Sequence, residues 1–344
     1  MEILAEIRFD VAHLTYQKAV LLLDQKVYPT RDKQIEYMKK SISEDKDLIQ
    51  SEKNFLFDML DLEFDRKRFY KSGDKMIDKF IQKCQLSTIR PDAIVEWISY
   101  DQFTNIEYKT RGGSATIYIA EWKDGWFFKW ENQKLLRYGR NPVILKWLDD
   151  SKTLSEDWIR EIETHLKLTV DAVQLVDCFG LTKDPKTQNY ILVLYPMGYN
   201  LRDYLQENNS SITFLQKILI LHDVIISIVS FHKVGLVHGD LHSGNILQYK
   251  STKDWAIGDL GLCEPVNKQS DSINGILPYI VPEVLMNKRI VNGKRPQIAE
   301  ETPLWYSTLM ESCWDENPEN RPDANAIYKE IEKQLQILLK NKSL

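Results

Sequence analysis

Cysteine is scarce in this 344-residue chain, and the four present, Cys84, Cys178, Cys263 and Cys313, stand far apart without a CxxC pair. Neither a zinc site nor a disulfide framework is indicated, so a reducing intracellular setting, the cytoplasm first, is expected. Glycine is missing before Gly73, and Pro29 is the lone early proline. A basic excess is missing too: 45 basic against 50 acidic residues give a net charge of −5. Phosphate binding on nucleic acid needs clustered positive charge, so no nucleic-acid partner is expected. The opening MEILAEIRFD carries Glu2, Glu6 and Asp10 where a secretory leader needs a basic and then an apolar stretch. An unbroken apolar run of about 20 residues is absent as well. The nearest to one, Phe214–Phe231, is interrupted by Gln216, Lys217, His222 and Asp223. It reads as a core helix apolar nearly all round, and no membrane is expected.

What is present is ordinary for a folded chain: 43% hydrophobic and 28% charged residues. At about 150 residues per domain the length suggests two folded units. Residues 1–99 read as a helical extension that packs on its neighbour or on a partner. Phe55, Leu56, Met59, Leu60 and Leu62 have helical spacing. Asp74 can cap a helix that places Met76, Ile77, Phe80, Ile81 and Cys84 on one face. Ser87–Asp92 has linker composition. From Tyr100 the texture changes. Glu107–Trp122, Trp126–Trp130, Val143–Trp147 and Tyr190–Leu194 read as strands, with a helix over Ser155–Leu168. After Leu194 the pattern is mostly helical. A strand-rich front and a helix-rich back imply one two-lobed α+β domain over residues 100–344.

The strongest chemical signal is Val237-His238-Gly239-Asp240-Leu241-His242-Ser243-Gly244-Asn245, followed fourteen residues later by Asp259-Leu260-Gly261. An aspartate five residues before an asparagine can set a base beside a metal ligand. Asn245 and Asp259 converging on one point would suit magnesium, which takes few protein oxygens plus phosphates. Each triplet alone is weak; the ordered combination is strong.

That combination resembles the protein-kinase signature set over about residues 103–338, nearest to its tyrosine-kinase-like group. The resemblance implies a small β-rich lobe, a helical lobe, ATP and Mg2+ as cofactors, and a protein substrate. It implies Gly112 and Gly113 over the nucleotide, Lys146 on its phosphates and Glu161 as the ion-pair partner of Lys146. Asp240 would accept the hydroxyl proton, and Asn245 and Asp259 would hold the metal. Gly275–Glu283 resembles the end of an activation segment, and Cys313–Pro322 the last helical section, where Arg321 would pair with Glu283.

Several positions depart from the pattern. Thr110 and Ala115 replace two glycines of the phosphate loop, so weaker ATP binding is expected. Gly239 stands where regulated kinases carry arginine, so control by a phosphate on Ser270 or Ser272 is not expected. His242 takes a lysine or arginine position, as a packing residue or as a functional one. The Leu194–Gly198 crossing is one residue short, which leaves the adenine contacts unassigned. Glu283 and Arg321 are only 38 positions apart (321 minus 283), too few for the buried helix the family carries between them. Either the N-terminal helices fill its place, or the back lobe is loose, or the chain is a shortened product.

Three readings follow. The first is a protein kinase acting on serine, threonine or tyrosine. The second is a kinase-like binding or scaffold protein with little activity, because the buried helix is missing. The third is a small-molecule kinase, which the Pro282-Glu283 and Cys313–Pro322 features oppose.

Overall fold

The computed structural model describes residues 8, 11–12, 15–16, 18–19, 22, 27–28, 31–65, 72–86, 91–112, 115–131, 134–149, 151–152, 175–208, 211–265 and 297–342. It divides into two units: Met1–Thr153 with Asp177–Pro196, and Leu154–Val176 with Met197–Leu344.

The first unit begins with helices α1 (Arg31–Glu44), α2 (Gln50–Asp65) and α3 (Lys75–Leu86). Met38, Ile42, Leu48, Phe55, Leu56 and Leu60 bury their side chains together with Ala12 and Tyr16. Phe55, Leu56 and Leu60 of the 55–62 run thus find a core of their own. Glu52 is fully buried beside it. Its carboxylate accepts from Arg8 Nε and Nη2, both at 2.8 Å, and from the Ile49 N–H at 3.0 Å, which closes the first turn of α2. The Arg8 contact holds the Glu52 pKa down at about 2. A depressed carboxylate pKa gives stability that is complete above the ordinary value of 4.5 and is lost as pH falls toward 2. Glu52→Gln is expected to cost about 1–3 kcal/mol and to flatten that acid limb, as followed by helical circular dichroism between pH 5 and 2. Equal acid midpoints for both proteins would contradict the assignment.

Asp74 caps α3, its Oδ1 accepting from Met76 and Ile77 N–H. Ile77, Ile81 and Cys84 are buried as the spacing implies, but Met76 is exposed. It sits in the first turn, on the rim of the apolar face. At the end of the linker-like segment, Pro91 is buried with Ala93 in a short 3-10 turn.

The sheet carries six strands. They are β1 (Glu96–Trp97), β2 (Phe103–Arg111), β3 (Ala115–Trp122), β6 (Asn141–Leu148), β7 (Cys178–Lys183) and β8 (Tyr190–Leu194), with a ribbon of β4 (Phe127–Glu131) and β5 (Lys134–Arg137) between β3 and β6. The order is β1-β7-β8-β6-β3-β2, antiparallel except for β1, which runs parallel to β7. One face of this sheet packs an aromatic and aliphatic core of Ile98, Phe103, Trp122, Val143, Leu145, Phe179, Ile191 and Val193.

The second unit holds α4 (Leu201–Asn208), α5 (Phe214–Lys233), the short strands β9 (Leu236–Val237), β10 (Ile246–Gln248), β11 (Trp255–Ile257) and β12 (Glu264–Pro265), then α6 (Leu304–Cys313) and α7 (Ala324–Lys342). A capping box of Thr213 and Gln216 starts α5. Its apolar surface is shared among three clusters. Ile218, Ile225 and Val229 meet Ile331 and Leu335 of α7. Ile220 and Val224 meet Ile246 and Trp255, and Phe231 meets Leu236 and Ile257. Phe214 adds edge contacts to Trp305 and Tyr306 of α6. α5 is long and apolar enough to cross a membrane by composition; here that apolarity is used on neighbours within its own unit. The predicted helix over Ser155–Leu168 and the Gly275–Glu283 segment lie outside the described residues.

Candidate active site

In the first unit, strand alternation decides what the sheet presents. Ile144, Lys146 and Leu148 share one face of β6, paired across the strands with Ile119, Ile117 and Ala115 on one side. On the other side Ile144 and Lys146 meet Leu194 and Leu192 of β8. Lys146 is a buried cation set in an apolar surface. Burying an ammonium is costly unless an anion answers it, so this face suits a negatively charged ligand or carboxylate. Glu161, the expected carboxylate, lies outside the described residues, as does Gly113.

The adjoining turn closes through the Gly112 N–H, which donates to Ala115 O at 2.9 Å. A Cβ on Gly112 would meet nothing nearer than 3.7 Å, so the hairpin itself does not demand glycine there. Thr110 and Ala115, the two replaced glycines, are strand residues with ordinary cross-strand partners.

In the second unit, two short ribbons bring the chemical residues together. Antiparallel pairing of β10 with β11 sets Ile246 opposite Ile257. One step further out, the Gly258 N–H donates to Asn245 O at 2.8 Å. Asn245 and Asp259 therefore emerge from adjacent ends of one ribbon. The other ribbon pairs Val237 of β9 with Glu264 of β12. Leu241 and Leu260, the neighbours of the two aspartates, pack into a single core with Phe231 and Ile257. Leu260 is buried there and Asp259 is exposed, while Asp240 beside the half-buried Leu241 stays part-buried.

Asp240 is held by its backbone more than by its carboxylate. Its N–H donates to His238 Nδ1 at 3.2 Å, and Asn245 Nδ2 donates to its carbonyl at 3.0 Å. Asn245 Nδ2 also lies 3.4 Å from Asp240 Oδ2, and His242 Nε2 lies 3.6 Å from the same oxygen. His242 itself is fixed by the Gly244 N–H on its Nδ1. Its ring thereby faces the carboxylate of Asp240, a placement that fits both the packing and the functional option.

His238 was not singled out from the sequence, yet it joins the two loops. Its Nδ1 accepts from Asp240, so the ring proton sits on Nε2 and donates to Gly258 O at 3.1 Å. Burial lowers its pKa, which favours this neutral form. Asp259 has φ +60°, a left-handed conformation that asparagine and aspartate tolerate better than other side chains. Gly239 has φ +76°, and a Cβ there would sit 2.2 Å from Leu262 O. The residue in the arginine position is thus a glycine because the chain after Asp259 runs against it. A second missed contributor is Asp223, legible only as a charge in an apolar run. Its Oδ2 accepts the Trp255 N–H at 3.0 Å and steadies β11 from α5.

The crossing between units is anchored at each end: Tyr195 N–H on Asp177 O in the first, Gly198 N–H on Gln248 O in the second. Arg321 N–H and side chain bond within the Asp315–Pro318 turn, and its expected partner Glu283 lies outside the described residues.

A family profile described as the protein kinase domain matches residues 136–298, which include Lys146, Asp240, Asn245 and Asp259. Over this stretch, a little under half of its length, the chain is similar to the protein kinase domain. Among similar proteins of Dictyostelium discoideum is the probable serine/threonine-protein kinase fnkB, 30% identical over 115 residues, covering 32% of this chain and 21% of that protein. A probable LIM domain-containing serine/threonine-protein kinase is 21% identical over 316 residues, covering 76% and 46%. The dual specificity protein kinase pyk3 is 22% identical over 307 residues, covering 76% and 21%. The chain spans less than half the length of each of these relatives. Its small-lobe sheet and helical second unit fit the α+β kinase fold expected from the sequence.

Proposed function

We propose that this chain is an ATP-dependent protein kinase that transfers a γ-phosphate to a serine, threonine or tyrosine hydroxyl of a protein. The observation that carries the reading is the fixed relation of Asp240, Asn245 and the Asp259 turn through His238 and the β10–β11 register. An amide oxygen from Asn245 and a carboxylate from Asp259 form a hard-oxygen donor set that fits magnesium. Magnesium, when bound, neutralises phosphate charge. The chain's own residues do the rest. Lys146 binds phosphate oxygens from the apolar sheet face, and Gly112, without a side chain, lets a ligand approach the backbone. Asp240 takes the hydroxyl proton on its carboxylate, oriented by Asn245 and His242.

The separation of Glu283 and Arg321 favours a second reading, a kinase-like scaffold with little transfer. Glu161 and Gly113 keep their proposed roles as the partner of Lys146 and as part of the phosphate loop. We assign the whole to a reducing, intracellular compartment from its cysteine usage.

Nucleotide binding tests the first step. Lys146→Met removes a charge-assisted contact of about 1.5–3 kcal/mol, so displacement of a fluorescent ATP analogue in magnesium is expected to show roughly 10- to 100-fold weaker binding. Equal affinity would remove Lys146 from the site.

A further inference from the structure

Glu96 is a buried carboxylate that the proposed chemistry does not use. It lies in β1, ahead of the strands that carry the kinase motifs. Arg137 at the end of β5 grips it with a fork, Nη1 to Oε1 at 2.9 Å and Nη2 to Oε2 at 2.5 Å. The same guanidinium donates to Gly125 O at 2.6 Å and lies 3.8 Å over the Phe127 ring. One side chain thereby joins β1 to the open end of the β4–β5 ribbon, where Phe127 pairs with Arg137. Burial raises the Glu96 pKa against the pull of Arg137. A buried ion pair adds little net stability, because desolvation offsets the attraction, so what this one contributes is the placement of β1 against the ribbon.

A second, independent feature meets it on the other side. Gly180 in β7 has φ +155°, and a Cβ there would come 2.0 Å from Glu96 O. Glycine inside a strand weakens it unless another backbone must pass close by. Here β1 is that backbone: Glu96 pairs with Gly180, Trp97 with Leu181, and the Ile98 N–H continues the ladder to Leu181 O at 2.8 Å. Gln85 of α3 donates to Val95 O at 2.7 Å and fixes the start of the segment. Ile98 then enters the core shared by Val143 and Leu145 of β6 and by Ile191 and Val193 of β8. Leu145 directly precedes Lys146, and Ile191 and Val193 flank its cross-strand partner Leu192.

We propose that β1, carried by the 91–98 segment, is a built-in edge strand that sets the position of Lys146, with Glu96–Arg137 as its clasp and Gly180 as its seat. Glu96, Arg137 and Gly180 are positioning residues acting through β7, β8 and β6. The link to Lys146 as a phosphate ligand rests on the function proposed above; the link to the sheet does not.

The test uses the full chain with Gly180→Ala, which pushes β1 off its seat, and Glu96→Gln, which keeps the shape and removes the charge. Amide hydrogen exchange is followed by peptide, with binding of Mg-ATP measured alongside. Faster exchange is expected in 91–98, 178–183, 190–194 and 141–148 together, while 214–233 and 324–342 keep wild-type protection. Mg-ATP affinity is expected to fall about three- to thirtyfold, the range for coupling through packed elements. Should Gly180→Ala fail to fold, Glu96→Gln carries the test alone. Faster exchange confined to 91–98, with 141–148 and 190–194 unchanged, would overturn the proposal. A wild-type chain that binds no Mg-ATP would sink the functional reading, while the exchange pattern would still decide the role of the edge strand.

Discussion

Gly239→Arg is expected to destabilise the second unit severely, not to install control by phosphorylation. The left-handed φ of +76° costs an L-residue about 1–2 kcal/mol. The Cβ then overlaps Leu262 O, which can yield only by parting the β9–β12 ribbon where Val237 faces Glu264. Together these reach about 3–5 kcal/mol, a large part of a net stability of about 5–15 kcal/mol. A thermal melt should fall by roughly 6–20 °C at about 2–4 °C per kcal/mol for a unit of this size. Gly239→Ala separates the causes, since it brings the same backbone strain and the same overlap without a long charged chain. Most of the loss should already appear in Gly239→Ala. Wild-type melting of both variants would mean that the Leu262 approach is not what requires glycine.

Asp240→Asn should do the opposite, removing chemistry and leaving the fold. The loop is held by the Asp240 backbone, through the N–H to His238 and the carbonyl to Asn245, and neither bond involves the carboxylate. Stability should therefore stay within about 0.5 kcal/mol of wild type. The carboxamide cannot accept the hydroxyl proton as a base, and loss of a positioned general base costs about 100- to 10,000-fold in rate. ATP affinity should change little, because Lys146 and the phosphate loop are untouched. A rate loss accompanied by a collapse of the melting temperature would instead make Asp240 a structural residue.

The parts of this molecule that sequence makes legible are those governed by short-range pattern. Strand alternation locates Lys146 on β6, and apolar spacing identifies α5 as a core helix before its neighbours are known. The Asp240–Asn245–Asp259 order is readable because its spacing is set by one ribbon and one turn. What escapes are contacts made by backbone atoms of distant segments. Gly239 reads as a missing arginine until the Leu262 carbonyl is seen against it. The role of Gly180 is visible only once β1 is seen beside it. Residues 91–98 look like linker and extension, because nothing in their composition announces an edge strand. What covers α5 is likewise visible only in the structure, where Ile331 and Leu335 of α7 and Trp305 and Tyr306 of α6 pack against it.

The most direct measurement is phosphate transfer from Mg-ATP to protein hydroxyls by the purified full chain, compared with Asp240→Asn at matched folding. Transfer by wild type, lowered at least 100-fold in Asp240→Asn, is the expected result. Equal transfer by the two proteins, or none by either when both bind Mg-ATP, would contradict the assignment of this chain as a catalytically competent kinase.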